Sequence, residues 1–375
     1  MIVENINKMT ERPCILVAPL DWGLGHATRC IPIIKVLQEQ GVKVLIPASG
    51  AVAELLQREF PSIVILPLEN YDIRYSRNRH LFLLKMLIQL PRIFSHLCYE
   101  KKWLKNAIVN YKIDGVISDN RFGLHSKNIP SVYITHQLSF ETGIAWLNRL
   151  MQKTHYKIIN QFDECWVPDI AGENNLAGSL SHPKKSPSIP VKYLGLLSRC
   201  KKIQTEKKYR LLVLLSGPEP QRSIFEEIIL SQLKNIEGNL VIVRGLPGNK
   251  NEPGFSNKNL IVHDHLPADT LSELIQQSEW VVARCGYSTV MDLVTLQQKA
   301  ILVPTPAQAE QEYLADYLMQ KNFFYCCAQE NFQLEKAIKA AENFSFVTPL
   351  NPQKINEVVI VDWLQKIKNK INLSR

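Results

Sequence analysis

The sequence predicts an α/β protein built from two doubly wound parallel sheets. Short continuous apolar runs alternate with helix-like segments along the chain, as expected for parallel strands that are covered on both faces. The alternation stops once, over residues 177–209, and then starts again. At 375 residues the chain is long for one domain and sufficient for two. Right-handed crossovers would make each array a doubly wound sheet, whose ligands lie outside the carboxyl ends of the strands.

The strands are predicted from twelve apolar runs, half of them before residue 177 and half after residue 209. They are residues 14–20, 42–47, 63–66, 115–118, 132–135 and 165–167, and then 211–215, 240–244, 260–262, 280–283, 300–304 and 324–327. Helical patterns lie between them, for example over 27–40, 51–59 and 80–110. Gly41 follows the first of these helices and is a predicted helix stop, since glycine readily adopts the left-handed conformation found there.

The stretch 177–209 is rich in Ser, Pro and Lys, which indicates a connection between two domains. We place a first domain at residues 1–198 and a second at residues 199–355. Two such sheets facing each other would enclose a cleft.

The composition is that of an ordinary globular protein, with 46% hydrophobic and 21% charged residues. The net charge of +9 favours acidic partners such as nucleotides, anionic lipids or nucleic acid without selecting one of them. The chain opens on a polar stretch without a signal-peptide pattern, and no apolar stretch is long enough to span a bilayer. We therefore expect a cytoplasmic protein. Its eight scattered cysteines show no CxxC spacing, so neither disulfides nor a zinc site is expected.

The motif DWGLGH, residues 21–26, joins the first predicted strand to the first predicted helix. Its glycines are similar to the start of the G-x-G-x-x-G fingerprint of dinucleotide-binding proteins, but the third position is Thr28. That fingerprint also needs an acidic residue near the end of the second strand, and none occurs there before Glu54. A Walker phosphate loop is also absent from the sequence. We therefore interpret Gly23 and Gly25 as positions where the backbone passes close to a ligand.

A histidine and an aspartate follow two strands of the first array. His26 ends the DWGLGH motif, and Asp119 ends the later segment DGVISD. Carboxyl ends of parallel strands share one edge, so Asp119 can reach His26. A carboxylate on one ring nitrogen fixes the tautomer and raises the basicity of the other nitrogen, which then can remove a proton from a hydroxyl nucleophile. In the alternative interpretation, His26 caps its turn and Asp119 caps its own loop.

A second set of candidates lies in the segment RCGYSTVMD, residues 284–292. The chain there passes from a strand through Gly286 into a helix, so that the backbone N–H groups of Ser288 and Thr289 would face an anion. Asp292, one turn further on, can accept hydrogen bonds from ribose hydroxyls. The alternative for this segment and the next helix is ordinary capping. Sugar hydroxyls can bind to two polar residues at that next helix start, Gln311 and Glu312.

Together these segments resemble the GT-B glycosyltransferases of the MurG type, which use UDP-N-acetylglucosamine. The resemblance is strongest over residues 280–317, where RCGYSTVMD and PTPAQAEQEYLADYL are similar to the donor-site segment of the family and add Tyr287 to the candidates. It extends to DWGLGH, where the family has a more glycine-rich loop that ends in His. The resemblance implies GT-B architecture, two Rossmann-like domains facing across a cleft, with a C-terminal helix over residues 356–375 that crosses back to the first domain.

Three further matches add donor-site residues by resemblance. The segment LSGPEPQ is similar to the second glycine-rich loop of the family, although it has one glycine and two prolines. The segment YLGLLSR resembles the end of the family's first domain, where an arginine approaches the diphosphate. The segment VHDHLP resembles the backbone that pairs with uracil. The residues so implied are Ser216, Gly217, Arg199, His265 and Leu266.

The wider GT-B superfamily, including plant small-molecule glucosyltransferases, uses a His after the first strand as general base, held by an Asp after a later strand. His26 and Asp119 occupy similar places. The resemblance further implies an inverting displacement that needs neither metal nor cofactor, with the UDP-sugar as co-substrate, and we find no Asp-x-Asp pair suited to Mg²⁺. The helix dipole, backbone N–H groups and Arg199 would carry the leaving-group charge.

The first domain is expected to bind the acceptor. Residues 74–105 are basic and strongly apolar, which is typical of peripheral membrane binding but also of a long buried helix with a basic edge. We hypothesise a lipid-linked or membrane-borne acceptor at the inner face of the cytoplasmic membrane. A protein that ignored anionic liposomes at low salt would contradict this. Candidates for acceptor binding follow two strands, although His136 equally fits a structural role: Asn120, Arg121, His136 and Gln137.

Two other functions are compatible with these residues. A UDP-sugar epimerase or hydrolase on the same fold would turn over UDP-N-acetylglucosamine without an acceptor. A non-catalytic nucleotide-sugar binding protein would need the donor segment but not the pair of His26 and Asp119. Nucleic-acid binding is not expected, because the basic residues do not interleave with aromatic residues in a known module.

Overall fold

The computed structural model describes residues 12–21, 23–69, 82–246, 259–347 and 355–373. Within them the chain forms two wholly parallel sheets, of seven and six strands, covered by ten helices. The predicted α/β class with two doubly wound sheets is therefore confirmed. In the described part of the chain, none of the helices has the length and apolar character of a membrane span.

The first sheet contains seven strands: β1 (Cys14–Pro19), β2 (Lys43–Pro47), β3 (Val64–Leu66), β4 (Gly115–Asp119), β5 (Ser131–Ile134), β6 (Glu164–Val167) and β7 (Val191–Tyr193). Its helices are α1 (Gly25–Glu39), α2 (Gly50–Glu59), α3 (Phe82–Tyr111) and α4 (Ala145–Ile159). The strand order is β3-β2-β1-β4-β5-β6-β7. The order reverses between β1 and β4, so a crevice opens there at the carboxyl edge.

The second sheet contains six strands: β8 (Tyr209–Leu214), β9 (Leu240–Val243), β10 (Leu260–His263), β11 (Ser278–Arg284), β12 (Ala300–Val303) and β13 (Tyr325–Cys326). Its helices are α5 (Gln221–Gln232), α6 (Ala268–Gln276), α7 (Tyr287–Leu296), α8 (Ala309–Gln320) and α9 (Leu334–Glu342), and α10 (Glu357–Leu373) ends the described chain. The strand order is β10-β9-β8-β11-β12-β13, which reverses between β8 and β11.

The core explains why the strands read as continuous apolar runs. All six residues of β1 are buried, and the five from Cys14 to Ala18 alternate between two clusters. Ile15 and Val17 belong to the cluster that includes residues of α1 and α10, whereas Leu16 belongs to the one that includes Leu104 of α3. Because successive side chains point to opposite faces, a strand covered on both faces must be apolar at every position.

One strand was not predicted. Residues 177–209 do not form only a connection, because Val191–Tyr193 pairs in parallel with β6 as the edge strand β7. It has three residues, follows Pro190 and contains Lys192, so it lacks the apolar run that marks the buried strands. All twelve predicted strands are present, and Gly41 has a φ of +73° at the end of α1, as predicted for a helix stop.

The last helix, α10, packs on the first sheet, as the GT-B arrangement predicts. Trp363 meets Trp166 of β6 edge to face, with ring centroids 5.6 Å apart. A Cβ atom on Gly115 of β4 would lie 2.7 Å from a methyl carbon of Ile367, so glycine is needed for this close approach. The helix therefore ties the end of the described chain to the sheet at its beginning.

Candidate functional site

The loop between β1 and α1 carries His26 to the carboxyl edge of the first sheet. Gly23 has a φ of +83°, a left-handed conformation that glycine adopts without strain. His26 is the second residue of α1, and its side chain is 17% exposed. It therefore stands at the crevice where doubly wound sheets bind ligands.

Asp119 lies beside His26. It is the last residue of β4, in register with Pro19 at the end of β1. Its carboxylate is fully buried, and its Oδ1 atom lies 3.2 Å from Nδ1 of His26. Within the described residues, Nε2 of His26 has no hydrogen-bond partner. The structure thus brings the two predicted residues together, and the role of His26 as a base stays a prediction.

A third residue, Arg29, joins this pair and was not predicted from the sequence. Its Nε donates to Oδ2 of Asp119 over 2.6 Å, and its Nη2 binds the other carboxylate oxygen. Nη2 also lies 2.9 Å from Nδ1 of His26, and Arg29 is only 2% exposed. The available signal was the spacing in GHATR, because residues three apart share one face of a helix.

The electrostatics of this cluster keep Asp119 ionised. Burial by itself raises the pKa of Asp119, but Arg29 and then His26 outweigh it and lower the pKa to about 2. The pKa of His26 is lowered, first by burial and then by the charge of Arg29, against the opposing effect of Asp119. His26 is therefore neutral near pH 7, which is the form that can accept a proton.

His136 connects this cluster to the second sheet. Its Nδ1 lies 3.2 Å from Nη1 of Arg29, and its Nε2 lies 2.9 Å from Oε1 of Glu310 in the first turn of α8. Its ring stacks on Tyr287 of α7, with centroids 4.2 Å apart and planes 7° apart. His136 is 5% exposed, so in this structure it is covered by the second sheet's helices rather than open to an acceptor.

The start of α7, predicted to bind an anion, meets the start of α1. Gly286 precedes the helix in an extended conformation, and Thr289 lies in the first turn. Ser288 Oγ donates to the carbonyl of Gly25 over 3.1 Å. A Cβ atom on Gly25 would lie 2.9 Å from that hydroxyl, so a side chain there would require the Ser288 side chain to move. Because the first N–H groups of a helix lack intrahelical partners, both helix starts offer donors at this junction.

Asp292 lies one turn further along α7 and contacts the connection between the sheets. Its Oδ1 accepts a hydrogen bond from Ser198 Oγ over 2.6 Å. Burial raises the pKa of Asp292, and Ser198 and Arg199 act in the opposite direction. The Nε atom of Arg199 is buried without a hydrogen-bond partner in the described part of the chain. The structure therefore places these two predicted donor residues within electrostatic reach of each other.

The residues implied to flank the base follow β10. Leu266 is buried, and burial lowers the pKa of His265. Two cations, Arg199 and Arg58 of α2, lower the pKa of His265 further. A guanidinium from the first sheet's helices thus faces the predicted donor side, which the sequence did not indicate.

The polar residues around β8 and β12 belong to their own loops. Ser216 and Gly217 are exposed just after β8, and Gly217 has a φ of +97°. Gln311 and Glu312 accept hydrogen bonds from backbone N–H groups of the turn before α8, over 2.9 and 3.0 Å. In this structure these two side chains therefore cap the turn, as in the capping alternative.

Arg121 departs from its predicted role in acceptor binding. It is fully buried, and its guanidinium donates to the carbonyl of Pro19, to Glu100 over 2.9 Å and to Asp21 over 2.5 Å. A polar residue that follows a strand can turn inward, and this one pairs with two buried carboxylates. Arg121 therefore holds the start of the DWGLGH loop and has no surface for a ligand.

The other acceptor candidates lie near the carboxyl edge. Asn120 has a φ of +56° and accepts a hydrogen bond from Tyr133 over 2.8 Å, while Gln137 is half-buried. Among the residues that the structure describes, no three His, Cys, Asp or Glu side chains are arranged to hold a metal ion.

Comparisons with known proteins agree with this architecture. Residues 221–355 match the model of the glycosyltransferase family 28 C-terminal domain. An uncharacterized glycosyltransferase of Methanosarcina mazei is 23% identical over 318 residues, which cover 80% of this chain and 82% of that protein.

Solved structures are similar over nearly the whole chain. MurG of Acinetobacter baumannii has a TM-score of 0.51 at 17% identity and covers 96% of this chain and 99% of its own. A putative UDP-N-acetylglucosamine 2-epimerase from Listeria monocytogenes has a TM-score of 0.59 at 10% identity and covers 95% of this chain and 97% of its own. The fold is therefore GT-B, and the family match and the M. mazei relative support a glycosyltransferase.

Proposed function

We propose that the protein is an inverting glycosyltransferase that moves a sugar, N-acetylglucosamine or another hexose, from a UDP-sugar to a hydroxyl acceptor without a metal ion or cofactor. One observation carries the proposal: the pair of His26 and Asp119 meets the start of α7. Ser288 of α7 is hydrogen-bonded to Gly25, the residue before His26. The pair proposed to accept the proton therefore lies beside the helix start proposed to bind the anion.

In the proposed reaction, the acceptor oxygen forms a bond to C1 of the sugar while the bond from C1 to the diphosphate breaks. The hydroxyl proton moves to Nε2 of His26, and UDP leaves. Asp119 faces Nδ1 and stabilises the imidazolium that forms, because its low pKa keeps it ionised.

The charge of the leaving diphosphate would be held by the N–H groups and dipole of α7, together with Arg199. Arg199 has a buried Nε that lacks a partner among the described residues, which supports this assignment. Asp292 would accept hydrogen bonds from the ribose hydroxyls. These groups supply the charge stabilisation that a metal ion provides in other transferases.

The proposal is tested first by donor binding and then by turnover. In a thermal-shift panel of UDP-, GDP- and dTDP-sugars, we expect only the UDP-sugars to raise the melting temperature, since a ligand stabilises the fold to which it binds. UDP-N-acetylglucosamine should then be consumed only when a hydroxyl acceptor is present. Rapid turnover without an acceptor would indicate an epimerase or hydrolase, and binding without turnover a nucleotide-sugar binding protein.

Asp292→Ala is expected to weaken UDP-sugar binding roughly 10- to 100-fold, because hydrogen bonds to a charged group contribute about 1.5–3 kcal/mol. Calorimetric titration with UDP measures the effect. Asp316→Ala, which removes an exposed carboxylate of α8, is the control and should bind UDP as the wild type does. Unchanged affinity in the Asp292 variant would remove this residue from the donor site.

An exposed apolar patch supports the proposal of a membrane-borne acceptor. Ile144, Trp146 and Leu150, at the start of α4, are 43%, 67% and 54% exposed. Arg149 and Lys153 of the same helix are also exposed. Aromatic and aliphatic side chains beside basic ones are typical of helices that lie on anionic membranes.

The stretch 74–105, on which the sequence-based hypothesis rested, is only partly described. Residues 74–81 lie outside the described residues, and the rest belongs to α3. Phe94 is 65% exposed, whereas Leu104 is buried in the core of the first sheet. The carboxyl half of α3 thus packs one face on the core of the first sheet and leaves its other face exposed.

The double variant Trp146→Ser/Leu150→Ser is expected to lose most of its binding to vesicles that contain phosphatidylglycerol at low salt. Binding should fall with salt because the basic residues contribute an electrostatic attraction. Cosedimentation measures it, and Val109→Ser, another exposed apolar position, should bind as the wild type does. A wild-type protein that stays in the supernatant would contradict the membrane proposal.

A further inference from the structure

The guanidinium of Arg29 lies within hydrogen-bond distance of Nδ1 in two imidazole rings. Its Nη2 lies 2.9 Å from Nδ1 of His26, and its Nη1 lies 3.2 Å from Nδ1 of His136. Both oxygens of Asp119 hold the same side chain in place. A guanidinium has five donors and no acceptor, so a ring nitrogen that bonds to it must be the unprotonated one.

The two hydrogen-bond partners of His136 favour the same tautomer of its ring. Nδ1 faces the donor Arg29, and Nε2 faces the carboxylate of Glu310 over 2.9 Å. Although burial opposes it, the neighbouring His136 and Arg29 lower the pKa of Glu310, so this carboxylate is ionised and can only accept. The proton of His136 is therefore on Nε2, and Glu310 holds it there.

The two hydrogen-bond partners of His26 favour opposite tautomers of its ring. Arg29 is a donor 2.9 Å from Nδ1, whereas Asp119 is an acceptor 3.2 Å from the same atom. If Nδ1 accepts from Arg29, the proton lies on Nε2 and the ring offers a donor to the cleft. If Nδ1 donates to Asp119, Nε2 is free to accept a proton, as the proposed function requires. The position of Arg29 therefore decides between the two forms.

We propose that Glu310, His136 and Arg29 form a positioning relay across the interface between the two sheets, and that this relay sets which nitrogen of His26 carries its proton. Glu310 is on α8 of the second sheet, and the other two residues are on the first. With Arg29 bonded to Nδ1, the proton of His26 lies on Nε2, so in the unliganded protein the relay holds His26 in the form that cannot accept a proton there. The proposed function then requires Arg29 to leave Nδ1 before transfer. The relay concerns the same site as the proposed function, and its role in catalysis rests on that function.

The relay is tested by ¹⁵N NMR of histidine-labelled protein without substrate, since the ¹⁵N shifts distinguish the two tautomers. In the wild type we expect both His136 and His26 to carry the proton on Nε2. Glu310→Ala removes the acceptor of His136, so part of its population should move the proton to Nδ1. An N–H group at Nδ1 of His136 then faces an N–H group of Arg29, and this repulsion should displace the guanidinium from both imidazoles. The Nδ1-protonated fraction of His26 should therefore rise, although Glu310 makes no hydrogen bond to His26.

Two variants separate the relay from a simple charge effect. Glu310→Gln keeps an acceptor for Nε2–H of His136 without the charge, so it should restore the wild-type shifts of both histidines. Arg29→Lys keeps a cation beside Asp119 but cannot reach both imidazoles, and it should move the proton of His26 to Nδ1. Glu335→Ala, which removes an exposed carboxylate of α9, is the matched control and should change neither histidine.

The outcomes for the relay and for the proposed function are distinguishable. A wild-type His26 with its proton on Nδ1, or a Glu310→Ala variant with unchanged shifts at His26, would overturn the relay. Equal effects of Glu310→Gln and Glu310→Ala would do the same, because they would assign the coupling to charge alone. If the shifts follow as expected but the loss of His26 leaves sugar transfer intact, the proposed function fails and the relay stands.

Discussion

Replacement of His26 by alanine should lower the turnover of a UDP-sugar roughly 10²- to 10⁴-fold, the usual contribution of a positioned general base. The loss follows because Nε2 is the atom that would take the acceptor proton, while Asp119 faces the opposite ring nitrogen. UDP affinity should change little, since the donor is assigned to the start of α7 and to Asp292. Release of UDP measures turnover, and calorimetry measures binding.

The control for this variant is His125→Ala. His125 packs its ring 5.2 Å from that of Phe162 and lies outside the cluster around His26, so turnover should stay near the wild-type value. The wild-type pH profile gives a second reading. Burial and the charge of Arg29 lower the pKa of His26 below 6.5, the ordinary value for histidine. His26 therefore stays unprotonated at pH values just below 6.5, and kcat/KM should keep its neutral-pH value there. Intact turnover in His26→Ala would show that the base assignment is wrong.

Asp119→Ala should destabilise the fold by about 3–5 kcal/mol, the usual effect of breaking a buried ion pair. Arg29 is 2% exposed and would keep its charge in the interior without a carboxylate. Urea unfolding of the purified protein measures the change. Turnover should fall as well, because Nδ1 of His26 would lose the carboxylate that faces it.

The double variant Arg29→Met/Asp119→Leu distinguishes the ion pair from simple loss of packing. Neither charge is left alone in it, so it should recover much of the stability that Asp119→Ala loses. Glu335→Ala, in an exposed pair with Lys339, should leave the unfolding midpoint unchanged. A stable Asp119→Ala protein would mean that Arg29 finds another partner or reaches solvent.

Most of the fold could be predicted because its signals are local. The twelve predicted strands are short apolar runs whose residues are mostly buried, with exposed positions such as Val64 of β3 and Ile261 of β10, and such runs stand out in the sequence. The edge strand β7 could not be found in this way, since it is held by hydrogen bonds to β6 rather than by an apolar run. His26 and Asp119 could also be placed at the carboxyl edge from the local sequence, because each lies just after a predicted strand.

The partners of those residues could not be predicted, because they come from distant parts of the chain. Arg29 pairs with Asp119 across 90 positions, and Glu310 pairs with His136 across 174. Arg121, interpreted from the sequence as a cleft residue, is buried against Glu100. Whether a polar side chain after a strand turns toward the cleft or toward the core depends on which charges the folded chain brings near it.

Periodicity and motif spacing were therefore enough to predict two parallel sheets and to place His26 and Asp119 at one edge of the first sheet, where we expect ligands to bind. Burial can be predicted from the local sequence, because a strand or helix must be apolar wherever it is covered. His26 contacts Arg29 and Asp119, and Arg29 also contacts His136, which pairs with a carboxylate of the other sheet. Those contacts exist only once the two halves have packed together, because charge pairing and proton placement depend on distances in space.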